Sequence, residues 1–296
     1  SVANHKKTSN EIVRNSLVVE SIKIVREINP KFFVFENVPS FMKTLCTDTD
    51  GLDRPIGDAI YGNLGKHYSI VSNVINFMNH GASSSRQRTL VIGVARDFAD
   101  EVSPYELFPS VREVKTLREA IGELPSLHTM GEFDPDDIYH FFRPYPVHMR
   151  EWISDLNEGQ SAFDNSDPRK IPHKVMDDQR VFNVQKNGDK YKRQVWDKVG
   201  PCIHTRNDQL ASQNTVHPKD DRVFSIREIM IMMTIPQEFK WVESDLNVLN
   251  RLSTVEKTEF MKRNEFLIRQ SIGEAVPTAI FQEIAHRMKL CLQAKT

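Results

Sequence analysis

The run Lys31-Phe-Phe-Val-Phe-Glu36-Asn37-Val38-Pro39 constrains the fold of this chain more than any other stretch. A short, continuously apolar segment is the pattern of a buried strand, most often one in a parallel sheet covered on both faces. The run stops abruptly in a carboxylate, an amide and a proline. Ligand sites of open α/β sheets gather beyond the carboxyl ends of such strands, so Glu36 stands where chemistry is usually done. Taken alone, a carboxylate at a strand end could equally cap the next helix.

The flanking pattern extends this reading. Residues 9 to 29 predict an amphipathic helix, with Leu17, Val18, Ile22, Val25 and Ile28 on or near one face and Pro30 ending it. Residues 55 to 66 read as a second helix, Tyr68 to Phe77 as a strand, His80-Gly81 as a turn, and Thr89 to Ala95 as another strand rich in β-branched residues. From about Asp97 to Gln213 the chain turns polar, Pro-rich and irregular. One local helix is signalled there by the capping-box spacing Thr116-Leu-Arg-Glu119. Between Arg169 and Arg206 it becomes locally basic, with Lys174, Arg180, Lys186, Lys190, Lys192, Arg193, Lys198 and Arg206 interleaved with Phe182, Tyr191 and Trp196. Such a mixture suits phosphate contact and base-edge reading, and it also suits an ordinary solvated surface. A second capping box, Ser225-Ile-Arg-Glu228, opens a Met-rich helix whose Met230, Met232 and Met233 read as core filler. A charged helix over about 249 to 268 follows. Pro277 then opens a last helix with Ile280, Ile284, Met288 and Leu292 as its buried stripe.

Composition narrows the classes. With 296 residues the chain can hold a large and a smaller domain. No signal peptide is apparent, and no apolar run approaches the ~20 residues needed to span a bilayer, so a soluble, cytoplasmic protein is expected. The three cysteines Cys46, Cys202 and Cys291 are scattered, and the ten histidines fall into no ligand spacing, so neither a disulfide framework nor a metal site is expected. A net charge of −1 does not bear on nucleic-acid binding, which depends on where lysine and arginine are placed.

Five ordered segments together resemble the DNA (cytosine-5)-methyltransferase family. They are Glu36-Asn37-Val38 after the strand, with Arg14-Asn15-Ser16-Leu17 on the helix before it; Ser84-Ser85-Arg86-Gln87-Arg88, where the family has Gln-x-Arg-x-Arg; a variable stretch over 98 to 213; Arg222, Arg227 and Glu228 followed by Pro236 and Phe239; and Gly273-Glu274-Ala-Val276-Pro277, where the family has Gly-Asn-x-Val-Pro. Serine replaces the leading glutamine of the second segment, and glutamate replaces asparagine in the last. The resemblance implies an α/β fold, the second half of a Rossmann-like methyltransferase sheet with an inserted target-recognition domain. The implied domains are residues 1–97 (catalytic half), 98–255 (recognition, including the Arg-Glu helix) and 256–296 (helices returning to the catalytic domain). It also implies the cofactor S-adenosyl-L-methionine, with Leu17, Glu274 and Val276 toward it, and duplex DNA as substrate, with Lys192, Arg193, Thr205, Arg206 and Arg227 toward it.

The implied chemistry gives those residues roles. Carbon 5 of cytosine becomes nucleophilic once a thiolate adds to carbon 6. Glu36 would then act at ring N3, Arg88 would stabilise charge at O2, and Arg86 would hold phosphate or the active-site loop. Such a glutamate is expected to have a raised pKa in a partly desolvated pocket, and the base must be flipped out of the duplex. The family's Phe-x-Gly-x-Gly turn and Pro-Cys loop have no match in this sequence. A partner polypeptide or an N-terminal segment would therefore carry the nucleophile and cover the sheet edge. Pro201-Cys202 and Cys46 are weak substitutes by position. The rival reading is a non-catalytic DNA-binding or regulatory subunit of the same fold.

Overall fold

Asparagine at the end of the first helix and proline after it force the chain to leave helical geometry and enter the Phe-rich strand. In the computed structural model, which describes residues 15, 17–99, 102–177, 179–182 and 187–293, helix α1 (Leu17–Ile28) ends at Asn29, with φ of 46°, before β1 (Phe32–Asn37). Arg14 and Lys186, singled out in the sequence, lie outside the described residues. There follow β2 (Leu45–Thr47), β3 (Asp53–Pro55), α2 (Ile56–Leu64), β4 (Tyr68–Asn76) and β5 (Gln87–Ala95). The chain divides into two units, one of residues 1–80, 87–111 and 280–296 and the other of 81–86 and 112–279.

In the first unit β1, β5 and β4 form a three-stranded antiparallel sheet with β5 in the centre. The parallel, doubly covered strand expected at Phe32 is thus revised. β1 runs antiparallel to β5, only its Phe33 is buried, and among the described residues its second edge pairs with no strand. One face of the sheet, through Phe33 and Val91, packs on Val19, Ile22 and Val25 of α1 and Ile56, Ala59 and Ile60 of α2. The other face, through Ile92 and Val94, meets Phe98, Val102 and Leu107, with Met288 and Cys291 packed alongside. Alternation along each strand divides these residues between the two layers. Phe33 pairs across the ladder with Gly93, where any Cβ would lie 2.0 Å from the Phe33 ring, so glycine is required to admit that aromatic. Two sequence expectations shift here. Leu17 and Ile28 are exposed at the ends of α1 while Val19 is buried, and on the last helix Leu292 is exposed while Cys291 packs inward.

The second unit is mostly loops around a helical core. It contains α3 (Leu117–Ile121), the exposed hairpin β6 (His173–Met176) and β7 (Gln179–Phe182), α4 (Ile226–Met232), α5 (Thr254–Glu274) and the first residues of α6 (Thr278–Gln293). Both expected capping boxes form, Thr116 with Glu119 and Ser225 with Glu228. Two more that the sequence reading passed over open at Ser161 and at Ser253, and the second places the start of α5. The methionines fill the core as expected, with Met230, Met232 and Met233 fully buried beside Ile229 and Ile272. Among the described residues no helix is long and apolar enough to cross a membrane.

Candidate active site

β1 delivers Glu36 and β5 delivers Arg88 to the same side of the sheet. Glu36 lies opposite Leu90 in the register, so Arg88, two residues along β5, is its diagonal neighbour on the same face. Arg88 Nε lies 3.0 Å from Glu36 Oε1, with about a fifth of each side chain exposed. Arg88 Nη1 donates to the Gln87 carbonyl at 2.7 Å, which fixes the guanidinium's direction. The turn beyond β1 is fastened as well. The Val38 amide donates to Asn37 Oδ1 at 2.9 Å, and buried Thr89 Oγ1 lies 3.1 Å from the Val38 carbonyl and 3.2 Å from that of Pro39. Two ionic side chains are therefore held, half-buried, at the mouth of a loop that backbone contacts keep in place.

Against this pair opens a cavity of about 370 Å³ in the first unit, between α1 and β1. Leu17, Val18 and Phe41 give it an apolar wall, and Ser21, Glu36 and Asn37 a polar one. A flat apolar wall with hydrogen-bonding groups along one side is what an adenosyl group requires, so the lining fits the expected cofactor. Leu17, expected toward the cofactor, lines this cavity. Glu274 and Val276 belong to the second unit, where Glu274 is exposed and accepts from Gln270 Nε2 at 3.0 Å.

Arg86 differs from Arg88. It is 4 % exposed and lies in the second unit, where Nη1 donates to the carbonyls of Ile203 at 2.8 Å and Gly273 at 3.2 Å. Its guanidinium braces two pieces of chain instead of presenting itself to phosphate. Ser84 and Ser85 extend the brace, through Ser84 Oγ to the Pro201 carbonyl at 2.7 Å and the Ser85 amide to the Gly200 carbonyl at 2.8 Å. Gly273 sits against the backbone of His204 and Thr205, where a Cβ would come within 2.5 Å. Gly273→Ala is therefore expected to push that backbone aside and to cost roughly 1–3 kcal/mol of stability, read by urea denaturation of the full chain. A wild-type midpoint in the variant would contradict the packing.

The residues expected on DNA separate into two sets. Arg206 is exposed, Thr205 and Lys192 are half-buried, and all three have access to solvent. Arg193 and Arg227 do not. Arg193 is 4 % exposed and donates to the carbonyls of Ile153, His217 and Lys219 and to Asp221. Arg227 is 3 % exposed and pairs with Asp137, its Nη2 at 3.1 Å. Both are corrected from DNA contacts to interior braces, because a loop-rich unit with few ladders must satisfy its buried carbonyls with side-chain donors. The sequence holds no periodic signal that separates a bracing arginine from an exposed one. Among the described residues of the basic stretch, Arg169, Lys174 and Arg180 on or near the hairpin and Lys198 are exposed as well.

Cys46 is not set up as a nucleophile. Cys46 is fully buried in β2, and burial, aided by Asp48, pushes its thiol pKa up. That opposes the thiolate a nucleophile needs. Cys202 is exposed in the second unit, with Sγ 3.9 Å from Arg86 Nη1.

The family profile described as C-5 cytosine-specific DNA methylase matches residues 1–290. The Type II methyltransferase M1.HgaI of Avibacterium volantium is 26% identical over 286 residues, covering 93% of this chain and 70% of that protein. The Type II methylase M.HgiDII of Herpetosiphon aurantiacus is 24% identical over 278 residues, covering 94% and 70%. Among solved structures, a DNA modification methyltransferase encoded within an E. coli prophage superposes with a TM-score of 0.62 at 16% identity, over 95% of this chain and 75% of that one. The Dnmt2 methyltransferase of S. pombe superposes with a TM-score of 0.52 at 11% identity, over 95% and 73%. The sheet, its flanking helices and the loop-rich unit are thus those of a methyltransferase α/β fold.

Proposed function

Since this chain belongs to the C-5 cytosine-specific DNA methylase family, whose members take a methyl group from S-adenosyl-L-methionine, we propose that it is the base-engaging and target-reading part of a DNA (cytosine-5)-methyltransferase. Its setting would be a bacterial restriction-modification system, as for the Type II relatives it resembles. The observation that carries this reading is the Glu36–Arg88 pair at the end of β1, a carboxylate and a fixed guanidinium side by side.

A cytosine ring in the duplex hides its carbon 6, so the target base must swing out and enter the site. It would insert between the two charges, Glu36 turning to ring N3 and Arg88 to O2. Both contacts strengthen as negative charge develops on the ring, which is where they lower the barrier. S-adenosyl-L-methionine, when bound, supplies the methyl. Leu17, Val18 and Phe41 would hold its adenosyl portion, with Glu274 and Val276 as further candidates. Residues 98 to 255 keep the target-reading role, with Lys192, Thr205 and Arg206 toward DNA.

The thiolate would come from elsewhere, because Cys46 is buried with a raised pKa and Cys202 follows the recognition stretch, whereas the family's Pro-Cys loop precedes Glu-Asn-Val. A partner polypeptide or a preceding segment carrying a Pro-Cys loop would supply it. Among the described residues the second edge of β1 pairs with no strand, which supports this, since such an edge is a place for another strand to add. The test is transfer of tritiated methyl to duplex DNA by the chain alone and with any polypeptide that co-purifies with it, the product being identified as 5-methylcytosine after digestion. Duplex binding without methyl transfer under every pairing would favour the non-catalytic subunit instead.

A further inference from the structure

The turn bearing Thr205 and Arg206 is held from below by a buried amide and a buried guanidinium. Asn207 Nδ2 donates to the His204 carbonyl at 2.7 Å and to the Arg269 carbonyl at 3.0 Å, while its Oδ1 accepts from Arg269 Nη1 at 3.1 Å. One side chain thereby closes the turn on itself and ties it twice to α5. Arg269 is fully buried; its Nη1 also donates to the Phe224 carbonyl at 3.0 Å, and its Nε to Glu265 at 2.7 Å. Above this clamp Arg206 is exposed, with its guanidinium 5.9 Å from the Phe266 ring of α5.

A guanidinium buried without exposure is a costly way to fill space, and an aliphatic side chain of similar volume is often as stable. What it supplies here is direction, since a planar fork fixes the angle between the helix and the turn. We propose that Asn207 and Arg269 are positioning residues for target recognition, setting the direction in which Thr205 and Arg206 meet DNA. The proposal rests on the DNA-reading role argued above. A reader held in its bound geometry loses less conformational freedom on association, so the clamp acts on affinity for the correct sequence more than on general attraction to the backbone.

The experiment uses the full chain. A preferred duplex is selected from a randomised pool with wild type, and binding of that duplex and of a shuffled one is measured. Asn207→Asp keeps an acceptor for Arg269 but removes both donations. It is expected to weaken the preferred duplex about tenfold or more, to leave the shuffled duplex nearly unchanged, and to speed amide hydrogen exchange at residues 204–208. With Arg206→Ala already in place, Asn207→Asp should add little, because its effect travels through that side chain. Should Asn207→Asp fail to fold, Arg269→Lys keeps the charge and removes the fork. Unchanged selectivity and exchange, or losses that simply add with Arg206→Ala, would overturn the positioning role. A folded wild-type chain that selects no duplex would instead remove the DNA-reading premise, and the proposal with it.

Discussion

Glu36→Gln is expected to lower methyl transfer by the completed enzyme by about 10²–10⁴-fold while leaving duplex affinity unchanged. The amide matches the carboxyl in shape and can still donate a hydrogen bond to a ring nitrogen, but it cannot give up a proton. The loss should fall on kcat, because the interaction removed is one that strengthens only as charge develops on the ring. Arg88→Lys should behave similarly but less severely, since a lysine retains charge and loses the fork that the Gln87 carbonyl and Glu36 now hold. Single-turnover rates with saturating DNA are the measurement. Wild-type turnover in Glu36→Gln would mean that this carboxylate merely balances Arg88, and the subunit reading without chemistry would gain.

Much of that site was legible in the sequence because β-structure writes itself in short apolar runs. Phe32 to Phe35 and Thr89 to Ala95 announce two strands, and residues at their ends carry the two charges that meet. The pairing direction was not legible. Apolar continuity reports coverage of a strand, and an edge strand such as β1 keeps the same residues whether or not its second edge is paired. In the recognition unit the limits are different. Capping boxes at Thr116 and Ser225 are local, four-residue signals and are realised as read. Arg193, Arg227 and Arg86 are long-range, each donating to carbonyls or carboxylates from distant segments. A basic, aromatic stretch therefore looks the same whether its arginines face DNA or the interior. The cavity beside α1 shows the same boundary. Leu17 was expected near the cofactor from the motif, and the cavity it lines also takes in Val18 and Phe41 through tertiary packing.

The second large effect concerns the ionic cluster beneath α4. Arg222 is buried and grips Glu228 with both arms, Nη1 to Oε2 at 2.8 Å and Nη2 to Oε1 at 2.7 Å, while its Nε reaches Asp220 at 3.0 Å. Glu228 also accepts from the Ser225 amide at 2.6 Å, so one carboxylate both caps the helix and neutralises the arginine. Arg222→Met should cost about 3–5 kcal/mol, because it leaves two carboxylates buried without their cation. Adding Glu228→Leu should recover much of that loss, short of the roughly 1 kcal/mol a missing cap costs. Equal losses in the single and double variants would show that the charges are not the source of the effect.

The same cluster sets the response to acid. Burial alone would raise the Glu228 pKa, but Arg222 and His217 pull it far below the ordinary carboxylate range. Burial holds His217 down to about 4 against the attraction of Glu228. Both groups bind protons more readily in the unfolded chain than in the folded one, so stability rises with pH wherever that difference exists. The histidine contribution is complete above its unfolded value of about 6.5 and is lost as pH falls toward 4. That amounts to about 3 kcal/mol for a shift of this size. The Glu228 contribution follows it down, complete above about 4.3 and lost below. Urea midpoints between pH 7 and pH 4 should therefore fall steadily from the onset near 6.5, and His217→Gln should flatten the upper part of that slope. A wild-type profile flat to pH 5 would place His217 in contact with water and remove it from the cluster.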